Sequence, residues 1–220
     1  MSGTTALLAG ASGLVGGECL KHLVASGEYD CIIVVTRRDL GDRARHAKVR
    51  QVVVDFASLG DVREKLRAEH VFCALGTTIR KAGSQAKFRE VDYEYPLRLA
   101  QLARMNRARH FSIVSALGAS RSSPFYYSRV KGEVEEALCN MKWPSLAIFR
   151  PSVIAGERGE SRPLERLSER LLRHAPATWR PVAASDIAAA MVAVALDEPR
   201  GTTIVESRGI AAAISRRARR

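Results

Sequence analysis

The sequence predicts an α/β fold: a parallel, doubly wound (Rossmann) sheet with helices on both faces, a single domain over residues 1–220 with a small C-terminal substrate-side excursion. Two observations carry this. Short β-branched runs alternate with longer amphipathic segments along the chain, the pattern of a parallel sheet wrapped by crossover helices. Each short run is also near-continuously apolar, as a strand buried on both faces requires. A chain of 220 residues that is 46% hydrophobic has enough apolar surface for a sizeable core, and α/β folds often use such a length as one unit.

The strand-like runs are, in order, "TALLAG", "CIIVVTR", "VRQVVVD", "HVFCALG", "RHFSIVSA", "SLAIFRP" and "TTIVES". Between them, apolar residues recur three or four apart over Leu14–Ser26, Gln85–Met105, Tyr127–Met141 and Asp186–Leu196, which predicts helices there. Asp186 reads as the N-cap of the last of these, with Ser185 competing for the position. The stretch 157–181, rich in Arg, Glu, Ser and Pro, reads as a lid or rim segment with a helix around Leu164–His174, and serves equally as solvated surface. Arg208, Arg216, Arg217, Arg219 and Arg220 make 208–220 a basic C-terminal end.

The first strand runs straight into Gly10-x-x-Gly13-x-x-Gly16, which opens the first helix. Gly10 permits the tight turn, Gly13 lets a pyrophosphate approach the backbone, and Gly16 lets the helix lie close on the strand. The free N–H groups of the helix N-terminus then face the phosphates. Ala11, Ser12, Leu14 and Val15 complete this cradle, Ser12 adding a hydroxyl. No Walker lysine follows, which argues against a nucleotide triphosphatase.

The remaining strand ends fill out a dinucleotide site. Thr36, Arg37 and Arg38 close the second strand with a hydroxyl and two guanidiniums suited to a 2′-phosphate, so NADPH/NADP+ is expected in preference to NAD. Asp39 competes as a ribose ligand for NAD, but its place past the arginines suits a helix cap. Asp55 can accept from the adenine amino group and Phe56 can cover the ring. Leu75, Gly76 and Thr77 close the fourth strand, at the same carboxyl-end crevice.

"FYYSRVKGEVEEAL" places Tyr127 and Lys131 one helical turn apart, on one face. An adjacent ammonium lowers a phenol from its usual pKa of about 10 toward neutrality, so Tyr127 can trade a proton with a carbonyl or alcohol oxygen. Ser115, closing "FSIVSALGAS", would polarise that oxygen. Tyr126 is the rival phenol, but the residue one turn on is Val130, so it reads as a packing or substrate-side residue.

Composition narrows the partners. A formal charge of +12 invites an acidic partner, yet no aromatics interleave the basic tail and no zinc-finger or recognition-helix pattern occurs, so nucleic acid is not favoured. No membrane span and no secretory leader is expected, since no apolar stretch approaches about 18 residues and the first residues lack a basic start. Cys19, Cys31, Cys73 and Cys139 are scattered without CxxC spacing, which predicts free thiols, a reducing compartment and a cytoplasmic location, and no metal site.

Gly10, Gly13, Gly16, Ser115, Tyr127 and Lys131 together resemble the short-chain dehydrogenase/reductase superfamily in its atypical or extended branch. More narrowly, "CALGTTIRKAGS", "FREVDYEYP", "SALGASRSSPFYYSRVKGEVE" and "FRPSVIAGERGESRP" look like the Tat-interacting oxidoreductase family and its bacterial relatives. The resemblance implies a Rossmann domain that binds NADPH, with Ser115, Tyr127 and Lys131 at the family's catalytic positions. It also implies that Pro151, Ser152 and Val153 lie beside the nicotinamide and that Lys131 binds the nicotinamide ribose. Asp92 stands where many extended relatives carry an asparagine that supports a proton relay. The implied activity is hydride transfer to or from a small carbonyl or alcohol substrate. The alternative is a non-catalytic NADPH-binding sensor acting through a protein partner, and related folds often form homodimers through the helices after the fourth and fifth strands.

Overall fold

The computed structural model describes residues 3–155 and 181–218. Its main sheet is built from β1 (Thr4–Ala9), β2 (Tyr29–Thr36), β3 (Val49–Val53), β4 (His70–Cys73), β5 (His110–Val114), β6 (Ser145–Arg150) and β9 (Gly201–Glu206). The order across the sheet is β3-β2-β1-β4-β5-β6-β9, and every pairing is parallel. Two short strands, β7 (Ile154–Ala155) and β8 (Val182–Ala183), form a separate parallel pair that carries the C-terminal excursion. The chain winds outward in one direction from β1 to β3 and in the other from β4 onward. Ligands of open α/β sheets bind at such a reversal, here between β1 and β4.

The helices are α1 (Leu14–Ala25), α2 (Ile79–Ala82), α3 (Gln85–Arg89), α4 (Tyr95–Met105), α5 (Tyr126–Asn140), α6 (Ala184–Asp197) and α7 (Ser207–Ala218). They divide the core in two. Ala6 and Leu8 of β1 face a layer with Cys19 and Leu23 of α1 and Ile187 and Met191 of α6. Their neighbours Leu7 and Ala9 face the opposite layer with Leu99, Phe111 and Val134. Strand side chains alternate between faces, so a strand covered on both must be apolar at every position, which is why "ALLA" is unbroken.

The predicted helix over Gln85–Met105 is continuous but contains a wide π turn at Glu90–Glu94, where the Tyr95 amide bonds back to the Glu90 carbonyl, five residues away. Pro96 gives the physical reason. A proline inside an α-helix lacks the N–H that residue i−4 would receive, and its ring collides with that carbonyl, here Asp92's. Widening the turn removes the collision.

Two other expectations change. Helix α6 starts at Ala184 with Ala183 as its N-cap, so neither Asp186 nor Ser185 caps it; Asp186 sits in the first turn, where a carboxylate suits the helix dipole. Residues 208–218 of the basic C-terminal end fold within α7, with Ile210 buried and Arg217 paired to Glu28 at 2.9 Å and to Asp197 at 3.8 Å. The expected helix around Leu164–His174 and the stretch 157–180 lie outside the described residues.

At the amino ends of the strands lies a buried polar cluster. Tyr29 Oη meets His70 Nδ1 at 2.8 Å, and His70 Nε2 meets Glu198 Oε1 at 2.7 Å. His110 joins Ser145 Oγ and Ser112 Oγ, each at 2.7 Å. Burial holds both imidazoles below their ordinary pKa, His110 down to about 3. All four cysteines are free: Cys19 and Cys73 are buried, Cys31 half-buried and Cys139 exposed. Among the described residues no helix is long and apolar enough to cross a membrane.

Candidate active site

The glycine turn has the shape its spacing predicts. Gly10 sits at φ +94°, and a Cβ there would lie 2.4 Å from the Ala74 carbonyl oxygen. Glycine is thus required twice, for the left-handed backbone and for the approach of β1 to the end of β4. At Gly16 a Cβ would fall 2.0 Å from the Gly10 oxygen, so the first turn of α1 lies directly on the strand-end backbone. Gly13 is the N-cap of α1 and supplies no side-chain cap, and the first turn carries no acidic residue. The helix therefore presents unsatisfied N–H groups and a positive dipole end to an open face, the chemistry an anionic pyrophosphate fits. Ser12 and Gly13 are exposed and Leu14 is half-buried, whereas the side chains of Ala11 and Val15 belong to the core.

At the adenosine end the expected groups have local partners. Thr36 Oγ1 donates to the Arg38 carbonyl at 2.9 Å and accepts from its amide at 3.4 Å, while Arg37 and Arg38 extend into solvent. Asp39 Oδ1 accepts from the Gly41 amide and from Gln51 Nε2, which together hold its pKa below the usual carboxylate value. The N-cap of the turn at Gly41–Ala44 is Leu40, so Asp39 is not its cap but the residue before it, bonded to the Gly41 amide. Asp55 caps the 3₁₀ segment Phe56–Leu66 by accepting from the Ala57 amide at 2.8 Å. Phe56 is 2% exposed and stacked on Tyr95 with centroids 5.3 Å apart, so it is a core residue beneath the loop rather than a free lid for an adenine.

Lys131, Tyr127 and the loop after β4 come together, with Asp92 among them. Tyr127 is the second residue of α5; its ring lies 5.4 Å from that of buried Phe88, and the residue is 36% exposed. One turn on, Lys131 is almost fully buried; its Nζ lies 2.8 Å from Asp92 Oδ1 and donates to the Val114 carbonyl at 3.4 Å. Burial works to lower the Lys131 pKa, but the charge and contact of Asp92 outweigh it and the net direction is upward. The ammonium therefore persists at neutral pH. Asp92 Oδ2 accepts from the Thr77 amide at 2.9 Å. A Cβ on Gly76 would stand 3.4 Å from Asp92 Oδ1 and 3.8 Å from Lys131 Nζ, so the Leu75–Thr77 loop passes directly over the pair. Tyr126, the rival phenol, donates its hydroxyl to the Gln85 carbonyl at 3.0 Å and packs.

The Ser115 hydroxyl turns to other partners. It is buried and donates to Glu135 Oε1, and Arg150 clasps the same carboxylate through Nε at 3.1 Å to both oxygens. The Ser115 proton is committed to Glu135, so in this arrangement it does not polarise a substrate oxygen; the trio ties β5, α5 and β6 together. Arg150 accordingly closes an ion pair. Sequence reasoning passed over Glu135, because a pairing between a helix face and two strand ends leaves no local pattern. It also passed over Gly132, where a Cβ would sit 2.2 Å from the Ser120 carbonyl carbon. There the loop after β5 crosses α5 backbone to backbone, next to Lys131. A glycine inside the helical pattern "RVKGEVEE" was the available signal.

After β6, Pro151 is buried, and its carbonyl accepts from the Leu117 amide at 2.9 Å. The Ser152 amide donates to Ser207 Oγ at 2.9 Å and the Val153 carbonyl accepts from Val182. Of the backbone expected to dock a carboxamide, these three groups already have partners.

Sheet order, glycine turn and crevice define a nicotinamide-dinucleotide-binding protein with the fold of an oxidoreductase, and the chain belongs to the NAD(P)H-binding family, whose pattern it matches over residues 10–198. Within it, the chain falls in the branch of HTATIP2 and FMP52. It is 37% identical to HTATIP2 of Rattus norvegicus over 181 residues, covering 81% of this chain and 74% of the rat protein. It is 36% identical to the mitochondrial protein FMP52 of Meyerozyma guilliermondii, covering 71% and 67%. Among solved structures, MoeE5 in complex with UDP-glucose and NAD shares the fold at a TM-score of 0.71 and 17% identity, over 94% of this chain and 80% of that one.

Two expectations are corrected by these relatives. NADPH/NADP+ was expected over NAD, but the structural neighbours with a named dinucleotide, MoeE5, WbmG and WbmH of Bordetella bronchiseptica and an epimerase of Brucella ovis, hold NAD. The local geometry agrees, since the Thr36 hydroxyl counted toward a 2′-phosphate clamp is folded back on the Arg38 backbone. The cytoplasmic location inferred from cysteine usage is overturned by the fungal relatives, which are named as mitochondrial proteins. Free thiols mark a reducing environment and do not distinguish between compartments that provide one.

Proposed function

We propose that this protein is an NAD-dependent oxidoreductase of the short-chain dehydrogenase/reductase type, acting on a small carbonyl or alcohol, with Tyr127 as its acid/base. The observation that carries the reading is the buried Lys131 ammonium one turn below a half-exposed phenol, at the crevice where the glycine turn ends. NAD in the fold neighbours, and a backbone cradle suited to a pyrophosphate, support the choice of cofactor.

Bound there, a nicotinamide supplies the hydride acceptor or donor. The chain's own residues do the rest. The amides around Ser12 to Val15 hold the pyrophosphate, and the Leu75–Thr77 backbone borders the nicotinamide ribose, to which Lys131 donates. With Lys131 one turn away, the Tyr127 phenol gives its proton to a carbonyl oxygen in reduction, and its phenolate takes one from an alcohol in oxidation. Ser115 holds the end of β5 through Glu135 and Arg150. The Pro151–Val153 segment bounds the nicotinamide side of the crevice.

The test is Tyr127→Phe, assayed with NAD(H) across aldehydes, ketones, simple alcohols and nucleotide sugars. Loss of one positioned acid/base group lowers turnover about 10²–10⁴-fold, while NAD affinity stays near that of the unaltered protein. Undiminished turnover in this variant removes Tyr127 from the mechanism.

A further inference from the structure

The helix that lines the crevice beneath the Leu75–Thr77 loop contains a fully buried carboxylate that the proton transfer itself does not use. Asp92 has no exposed surface and lies on the π turn that Pro96 imposes, the one π segment among the described residues. Its two oxygens face different elements: Oδ2 accepts from the Thr77 amide at 2.9 Å, and Oδ1 stands 2.8 Å from Lys131 Nζ. The second contact is an ion pair off the hydrogen-bond axis, and Oδ1 has no aligned donor. A carboxylate taken so completely from water is held there only by its cation and its one amide.

We propose that Asp92 is a positioning residue that keeps Lys131 in its ammonium form and pins the Gly76–Thr77 backbone against it. One side chain thereby fixes both the charge beside Tyr127 and the loop bordering the cofactor ribose. The catalytic consequence rests on the oxidoreductase reading above; the charge-holding role does not.

The surroundings of Lys131 make the role testable. The groups facing it are Asp92 from the π turn, Tyr127 from its own helix, Cys73 from the end of β4 and the Val114 carbonyl from the end of β5. Burial pushes the Cys73 thiol up to about 12, so it supplies no negative charge at neutral pH, and Asp92 is the one carboxylate among these groups. Without its charge and contact, burial, the largest influence on the amine, shifts Lys131 toward the neutral form.

Asp92→Asn separates the two functions: the amide keeps an acceptor for Thr77 and loses the charge. Asp92→Ala removes both. The Lys131 amine is followed by NMR of the full chain, with side-chain-labelled lysine assigned through Lys131→Arg, and thermal melting confirms that each variant is folded. In the unaltered protein the Lys131 signal holds its ammonium shift to above pH 10, and in Asp92→Asn and Asp92→Ala it titrates at least about one unit lower. The alkaline limb of kcat/KM for carbonyl reduction moves down with it. NAD affinity stays within about two-fold for Asp92→Asn and falls about ten-fold or more for Asp92→Ala, whose Thr77 loop is released. A Lys131 titration that is the same in the unaltered protein and in Asp92→Asn overturns the proposal, whatever the enzyme does. A folded protein with no turnover on any substrate overturns the oxidoreductase reading instead, and leaves the titration free to decide the role of Asp92.

Discussion

Replacing Gly16 by alanine tests the glycine turn from inside the fold, and Gly13→Ala tests it from the ligand side. A methyl at Gly16 would stand 2.0 Å from the Gly10 carbonyl oxygen, 2.5 Å from its carbon and 2.9 Å from the Ala11 nitrogen. All three are backbone atoms held between β1 and α1, so none can swing aside. To restore an ordinary contact of 3.4 Å, α1 must retreat by roughly 1.4 Å, and Cys19 and Leu23 on its far turns, both fully buried, lose their fit. Overpacking of this kind costs about 1–3 kcal/mol, against about 1 kcal/mol gained from alanine's helix propensity. With so little room to relax, a net loss of about 2 kcal/mol is expected, and in a chain of this size that lowers Tm by about 4–8 °C. At Gly13 the methyl meets only the Gly10 oxygen, at 3.3 Å, with no positive φ to strain it. That variant melts close to the unaltered protein, yet its methyl occupies the approach of the pyrophosphate and weakens NAD binding by about ten-fold or more. Scanning calorimetry and isothermal titration on the two variants read both halves. A Gly16→Ala protein that melts with the unaltered chain, or a Gly13→Ala protein that binds NAD equally well, refutes the reasoning.

Acid should weaken the fold through the buried histidines. His110 is held by burial at about 3, so between about pH 6.5 and 3 the unfolded chain binds a proton that the folded chain does not. Stability therefore falls with pH across that window, with a slope approaching about 1.4 kcal/mol per unit; His70, also lowered by burial, adds to it. Urea titrations at stepped pH measure the slope, which His110→Gln should flatten; an unchanged slope in that variant contradicts the assignment. Gly132→Ala drives a methyl to 2.2–2.5 Å from Ser120 and Arg121 backbone atoms and forces the loop after β5 off α5. Turnover should drop by a larger factor than NAD affinity, to which the glycine turn also contributes; steady-state kinetics beside titration separate the two, and full activity would place the loop outside the site.

What the sequence revealed divides by the range of the interaction involved. Gly10, Gly13 and Gly16 act through backbone geometry within one turn, and Tyr127 and Lys131 share a face through a one-turn offset, so spacing, read together with their place in the strand–helix order, singled them out. The strands were readable because a sheet covered on both faces demands unbroken apolar runs. Glu135 was not readable, since Ser115 and Arg150 reach it from two strands. Asp92 showed only as a departure from a familiar asparagine, although Pro96, four residues on, already signalled that the helix must widen there. The arginines of α7 read as a tail, yet Ile210 and Ile214, one turn apart, form the stripe that packs on the α6 layer. The cofactor was misjudged because residue types at the end of β2 were read without their orientation. Thr36 turns back on its own strand end, and Arg37 and Arg38 are exposed.

Crystals of this chain grown with NAD+ test the central claim most directly. The account predicts a dinucleotide across the carboxyl ends of β1 and β4, its pyrophosphate on the amides that follow Gly10 and its nicotinamide ribose within hydrogen-bond reach of Tyr127 and Lys131. A saturated, well-ordered crystal with the nucleotide seated elsewhere, or with none at the glycine turn, would contradict it.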